Sequence, residues 1–389
     1  MDAEENPIEA DVGVKSGECE PPNRISDLED STLRFETREE FERNEKKNNF
    51  LRGFRFSPDG TCALTNSNDN VLRLFEVHNR VSKSTLRVRE AGTVYGFDWF
   101  PRMHYSVAAS CCFATTSCDT PVHLWDAYRG YLRASYVGHD HMDNIAVALS
   151  VAFDPTGGKL FCGYNRMIRI FDVSRPGRQC EERPTCKTRK SRRGQRGLIS
   201  CFAFNSEGLY AAGSYARSTA IYSARSGEML CELRGQRGGV THTQFSGHYL
   251  FTGGRRDPFV MCWDVRNLSG LLCEFPREVT TNQRIGFDVR DSGRYLITGS
   301  GKSVWLFDTT RRETSDAVPE PIGRKAQGFR DTVNDVHFHP TLPWWGATTG
   351  RRHYNSHDDT SDSDELDSEE GDAASNALSL WSFPQEIDR

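Results

Sequence analysis

The feature that most constrains this chain is a short stretch, Val260-Met261-Cys262-Trp263-Asp264-Val265-Arg266, that recurs six times in weaker form. The copies are LRLFEV (72–77), VHLWDA (122–127), IRIFDV (168–173), TAIYSA (219–224), SVWLFD (303–308) and LSLWSF (378–383). Each alternates apolar and polar residues around one aromatic, usually followed by Asp, the pattern of a half-buried strand. The aromatics Phe75, Trp125, Phe171, Tyr222, Trp263, Phe307 and Trp381 are spaced by 50, 46, 51, 41, 44 and 74 residues. A repeat of this length cannot bury its apolar face alone, so neighbouring repeats must stack.

A period near 40–50 closing on Trp-Asp is the signature of a WD-repeat β-propeller. Seven copies predict an all-β, seven-bladed disc over residues 32–389, preceded by a disordered acidic tail at 1–31. A ring of sheets needs closure, and the alternating segment 32–36 is assigned as the closing outer strand. The wide last spacing is assigned to a disordered acidic insertion, 355–376, between the second and third strands of blade seven. Within it, Ser361 and Ser363 lie among acids and are candidate phosphorylation sites. Turns such as Ser57-Pro58-Asp59-Gly60 and Asp154-Pro155-Thr156-Gly157 have the Pro and Gly that tight reversals need. Blade five departs, with a shortened turn at Gly247-His248.

Charge is unevenly distributed. The net of −5 combines −8 over residues 1–49 and −9 over 358–372 with +12 over the remainder. A basic body with acidic appendages points to a polyanionic partner such as nucleic acid. The twelve cysteines contain no CxxC pair, which favours buried thiols over disulfides or zinc. The start of the chain lacks a basic and apolar leader, and no apolar run approaches the ~18 residues of a membrane span. A soluble intracellular protein is the expectation.

Catalytic motifs are missing: no phosphate-binding Gly-rich loop, GxSxG or HExxH occurs. We therefore expect no enzyme, no metal and no cofactor. The scattered histidines, among them His139, His141, His242, His337 and His339, are assigned to structural hydrogen bonds, His139 from a Gly-His pair typical of WD repeats.

The loops are more telling. In a propeller, the loops entering each inner strand and those joining second to third strands share one face. That face carries Arg166, Arg217, Arg237, Arg255, Arg256, Arg284, Lys302, Arg351 and Arg352, with fewer acids (Asp119, Asp140, Asp143, Asp257, Asp331). The densest run is Lys187, Arg189, Lys190, Arg192, Arg193 and Arg196, which reads either as an RNA contact or as an import or solubility signal. Arginine offers a planar fork for phosphates and a surface for base stacking. Tyr164, Tyr215 and Tyr354 stand nearby as stacking platforms, while Asn282, Gln283 and Arg284 are candidates for reading base edges. A rival reading rests on Trp263-Asp264-Val265-Arg266, whose WDxR pattern lets some propellers dock on a cullin ubiquitin-ligase adaptor through the Arg. The chain would then be a protein-only scaffold or substrate receptor, with Arg266 as partner contact.

Several stretches resemble one family, the telomerase Cajal body proteins. They are NNFLRGFRFSPDGTCALTNSNDNVLRLF (48–75), PVHLWDAYRGYLRASY (121–136), LFCGYNRMIRIFDVSRPGRQCE (160–181), GLISCFAF with LYAAGSYARS (197–218), GGVTHTQF (238–245) and REVTTNQRIGFDV (277–289). The strings REVTTNQRI and SRPGRQCE are not generic repeat elements. The resemblance implies a nuclear, Cajal-body protein, a monomeric propeller that binds H/ACA-type small Cajal-body RNAs and telomerase RNA. It implies a partner set of small nuclear RNA, the associated ribonucleoprotein proteins and Cajal body proteins, and a role in telomerase assembly and telomere maintenance. This chain departs from the family at Gly286, where an aromatic is usual, in its more basic 187–196 loop and in its short N-terminal tail.

Overall fold

The computed structural model describes residues 28–42, 48–78, 83–186, 194–267, 270–290, 293–310, 318–352 and 376–384. The acidic tail before Leu28, the run from Lys187 to Arg193, Tyr354 and the acidic segment 358–372 lie outside these residues. The described chain forms seven antiparallel sheets of four strands. Their inner strands are Leu51–Phe56, Val94–Trp99, Ser150–Phe153, Ile199–Phe204, Val240–Ser246, Phe287–Arg290 and Val333–Phe338. Among the described residues, short 3-10 turns at Glu39–Phe41 and Ala108–Ser110 interrupt the β structure. The fold is a seven-bladed β-propeller.

The recurring stretch is the third strand of every blade, and its aromatic is the residue that fixes the sheet in place. Phe75, Phe171, Tyr222, Trp263, Phe307 and Trp381 are buried and Trp125 is half-buried. The indole N–H groups also find partners: Trp263 donates to Thr252 Oγ1 at 3.0 Å and Trp125 to Thr115 Oγ1 at 2.9 Å. Small residues bring blades together at the axis. A Cβ at Gly213 would lie 2.7 Å from Val240 Cγ1, and one at Gly299 would lie 2.4 Å from the Val333 carbonyl, each in the next blade.

Closure comes from Thr32–Thr37, which pairs antiparallel with Ala377–Ser382 as the outer strand of blade seven, Leu33 opposite Trp381. Ahead of it, Leu28 is fully buried. The Trp345 indole N–H donates to Ser31 Oγ at 3.1 Å, and Lys325 Nζ donates to the Ser31 carbonyl at 3.2 Å. Trp345 stacks on Trp381, centroids 5.6 Å apart.

Carboxylates on inner strands also stitch consecutive blades. Asp98 accepts Phe153 N–H at 2.9 Å, Asp288 accepts Phe338 N–H at 2.9 Å, and Asp335 accepts Phe54 N–H at 3.2 Å. The residue expected to brace a blade from its entering loop was His139, yet this residue offers its carbonyl to Arg169. Other side chains brace the blades. Glu90 accepts from Ser117 Oγ, His123 and Trp125. Gln195 donates to the Ala212 carbonyl, Gln236 to Thr252 and Arg277 to the Ile285 carbonyl. His242 and His339 do make structural hydrogen bonds, to Phe287 N–H and the Gly60 carbonyl.

Candidate nucleic-acid interface

Chain direction puts two sets of loops on what we call the upper face: those from each outer strand to the next inner strand, and those joining second to third strands. Each second-to-third hairpin of blades one to six has one residue with left-handed backbone. They are Asn70 (φ 63°), Asp119 (58°), Arg166 (56°), Arg217 (65°), Arg256 (46°) and Gly301 (55°). Asn, Asp and Gly suit that conformation; Arg does not, and such a residue costs on the order of 1 kcal/mol or more. Three consecutive blades, three to five, thus carry arginine where turn chemistry argues against it. Arg217 and Arg256 are exposed and Arg166 is half-buried, so burial does not repay the cost.

Beside this row, the Arg255 guanidinium lies 3.9 Å above the centroid of the Tyr215 ring. Tyr215 therefore presents a cation-covered ring rather than a bare platform. Arg237 is held by its backbone N–H, which donates to the buried Asp257 at 2.8 Å, and its guanidinium covers Phe259 at 5.4 Å. Arg196 sits just before the inner strand of blade four, its carbonyl accepting from Ser214 Oγ.

The loop from blade five to blade six holds the most concentrated unmet hydrogen-bonding capacity. Thr281 Oγ1, Gln283 Oε1 and both Nε and Nη2 of Arg284 are buried without a hydrogen-bond partner among the described residues. Asn282 between them is exposed. The Gln283 amide donates to the Gly350 carbonyl at 3.4 Å. Burial pulls the Arg284 guanidinium below its usual pKa, against the opposing pull of Asp335. Buried polar groups left unmet cost about 1–3 kcal/mol each.

Gly286 ends this loop. A Cβ there would stand 1.6 Å from Asp335 Oδ1, so the departure from the family's aromatic is matched by an inward carboxylate. Asp335 lies 3.2 Å from His337 Nε2, and Asp288 lies 3.6 Å from His337 Nδ1. Burial alone would depress His337; Asp335 and Asp288 outweigh it and raise the imidazole to about 9. His242, at 6.4 Å between ring centroids, is driven well below its usual value by burial and by Arg284 and Arg55. The channel beneath the loop is therefore a charge-paired wall.

One sequence-derived role needs correction. Tyr164 is only 5% exposed and the Arg169 guanidinium covers its ring at 4.7 Å. It ends a second strand, where its ring packs inside the blade, so it is no stacking platform. Arg266 lies in the loop from third to outer strand of blade five, on the lower face, away from the other candidates. Its guanidinium is clasped by Asp264 at 2.7 and 3.0 Å. Sequence reasoning missed Arg52, just inside the upper rim. Its Nη2 donates to Asn68 at 2.8 Å, and burial, followed by the charge of Arg352, lowers its pKa. The missed signal is the RGF of FLRGF, hidden within a strand. Among the described residues, no cluster of three or more His, Cys, Asp or Glu is arranged for a metal, and no helix is long and apolar enough to cross a membrane.

Residues 130–172 match the WD domain, G-beta repeat family, from the outer strand of blade two to the third strand of blade three. The chain is 41% identical over 321 residues to Telomerase Cajal body protein 1 of Bos taurus, covering 78% of this chain and 58% of the relative. The Mus musculus protein of the same name is 39% identical over 359 residues, 88% of this chain and 65% of the relative. This chain is a homologue of the telomerase Cajal body proteins. It spans about three-fifths of the length of those relatives. A further relative, Guanine nucleotide-binding protein negative regulator 1 of Schizosaccharomyces pombe, is 27% identical over 86% of this chain and 88% of its own.

Proposed function

We propose that this propeller is a non-catalytic carrier of small nuclear RNA, bound across the upper face of blades three to six. The observation that carries the reading is the row Arg166, Arg217 and Arg256, placed in left-handed turns where Asn, Asp or Gly stand in other blades. Retaining arginine against turn chemistry fits a ligand with regularly spaced phosphates, which a planar guanidinium grips by two hydrogen bonds. The adjacent loop with Asn282, Gln283 and Arg284 supplies amide and guanidinium groups for base edges. The name of the mammalian relatives supports an association with telomerase and Cajal bodies, and the sequence resemblance extends this to the finer reading: H/ACA-type small Cajal-body RNA, telomerase RNA among them, carried as ribonucleoprotein to Cajal bodies in the nucleus. Support for telomerase assembly and telomere maintenance would follow from that cargo.

The test uses an H/ACA-type hairpin RNA and the same RNA with its single-stranded box scrambled. Gln283→Ala and Arg284→Ala should each reduce the affinity ratio between the two by about tenfold or more, the scale of one lost base contact (about 1–3 kcal/mol). An equal loss for both RNAs would make the loop a phosphate or structural element and overturn the base-reading role.

A further inference from the structure

The lower face of blade two carries a dense group of exposed large apolar residues. Tyr105 is 58% exposed, Val107 52%, Tyr128 56%, Tyr131 51% and Leu132 45%. They come from two loops brought together by the fold. The loop between Trp99 and Cys112 contributes Tyr105 and Val107, and the loop leading into Leu132–Tyr136 contributes the rest. The Tyr128 hydroxyl donates to the Tyr105 carbonyl, which joins the loops at their tips. Behind them, the Arg133 guanidinium donates to the carbonyls of Ala109 at 2.7 Å and Ala108 at 2.8 Å, and to Asp126 at 2.7 Å. This fork fixes the first loop to the sheet. The patch is apolar and braced from behind by these bonds, and an exposed apolar patch of this kind marks an interaction surface.

Its charge is one-sided. Arg102 and Arg129 are exposed around it. The two carboxylates that touch it are turned inward: Asp59 accepts the Tyr105 N–H at 2.8 Å and bonds Thr61 and Ser57, while Asp126 accepts the N–H groups of Tyr128 and Arg129. Tyrosine and arginine over a preorganised surface is the composition of a protein-binding hot spot. Val107 and Leu132 offer aliphatic surface, which suits protein side chains better than bases. We propose that the lower face of blade two is a docking site for an acidic protein segment bearing aromatic or aliphatic side chains. It faces away from the arginine row, so both faces can be occupied together, and this inference does not depend on the RNA reading.

The test uses the full chain and a fluorescent 16-residue peptide alternating Asp or Glu with Phe or Leu. Its controls are the same peptide with Lys and Arg in place of the acids, and a 16-nucleotide oligouridine. The acidic peptide should bind, and weaken as salt is raised. Tyr105→Ser with Tyr128→Ser should lower its affinity at least tenfold, as should Arg102→Glu with Arg129→Glu, while affinity for hairpin RNA stays unchanged. Val107→Ser, which removes no hydrogen bond, should lower it severalfold and guards against misfolding of the double variants. No binding of the acidic peptide, equal binding by the variants, or preference of this surface for the basic peptide or the oligouridine would overturn the proposal.

Discussion

At the scale of single residues, the sharpest features are side chains in positions that local rules disfavour. Arg166, Arg217 and Arg256 hold left-handed turns, and replacing each by Asn, which already fills the corresponding turn of blade one as Asn70, should leave stability equal or raise it. His337 is the second such case. Its imidazole, held between Asp335 and Asp288 and near His242, is raised from 6.5 to about 9. Native protein thus keeps a proton that the unfolded chain has lost. This contribution is fully present below pH 6.5 and is lost as pH rises toward 9. The thermal midpoint should fall between pH 6.5 and 9, and His337→Gln should flatten that slope when melts are compared across the range. An unchanged slope would show that the imidazole is neutral in the fold. The placing of Arg166, Arg217 and Arg256 on one face was legible because strand order assigns each hairpin to a face. Tyr164 was misread because a tyrosine at a strand end looks alike from sequence whether it points out or is capped, here by Arg169.

At the scale of elements, third strands were legible because alternation and one aromatic mark them. The braces were not. Glu90, Gln195, Gln236 and Arg277 span three residue types and share only a place in the loop that enters a blade, and a Gly-His pair pointed to His139 instead. The closing strand was readable as residues 32–36, one residue short of the observed Thr32–Thr37, but not the anchor ahead of it: Leu28 buried and Ser31 bonded to Trp345. Removing residues 1–37 should therefore do more than delete one strand. It leaves Ala377–Ser382 as an open edge, uncovers Trp345 and strips Lys325 of its acceptors. The truncated chain should melt at least 10 °C lower and form larger species on size-exclusion chromatography. A monomer with an unaltered melt would mean that the ring is closed by the other strands alone.

At the scale of the whole molecule, the disc separates two surfaces of different chemistry. The upper face is a field of arginine in which Tyr215 and Arg255 stack; the lower face of blade two is aromatic and braced by Arg133. The repeat made the disc and the sidedness of its loops predictable, since strand order alone decides which loops share a face. It could not reveal that Arg266 is clasped by Asp264, nor that Gly286 makes room for Asp335, because both depend on side chains meeting across the fold. The central claim is that the upper face binds RNA through phosphates held by the row of turn arginines. Its most direct test is salt-dependent binding of an H/ACA-type hairpin RNA to the native chain and to the triple variant Arg166→Asn, Arg217→Asn, Arg256→Asn. With three single-strand phosphate contacts removed, affinity should fall at least tenfold and the slope of log K against log salt should become shallower by about 2, with the melting temperature held or raised. An unchanged affinity and slope in a well-folded triple variant would contradict the account.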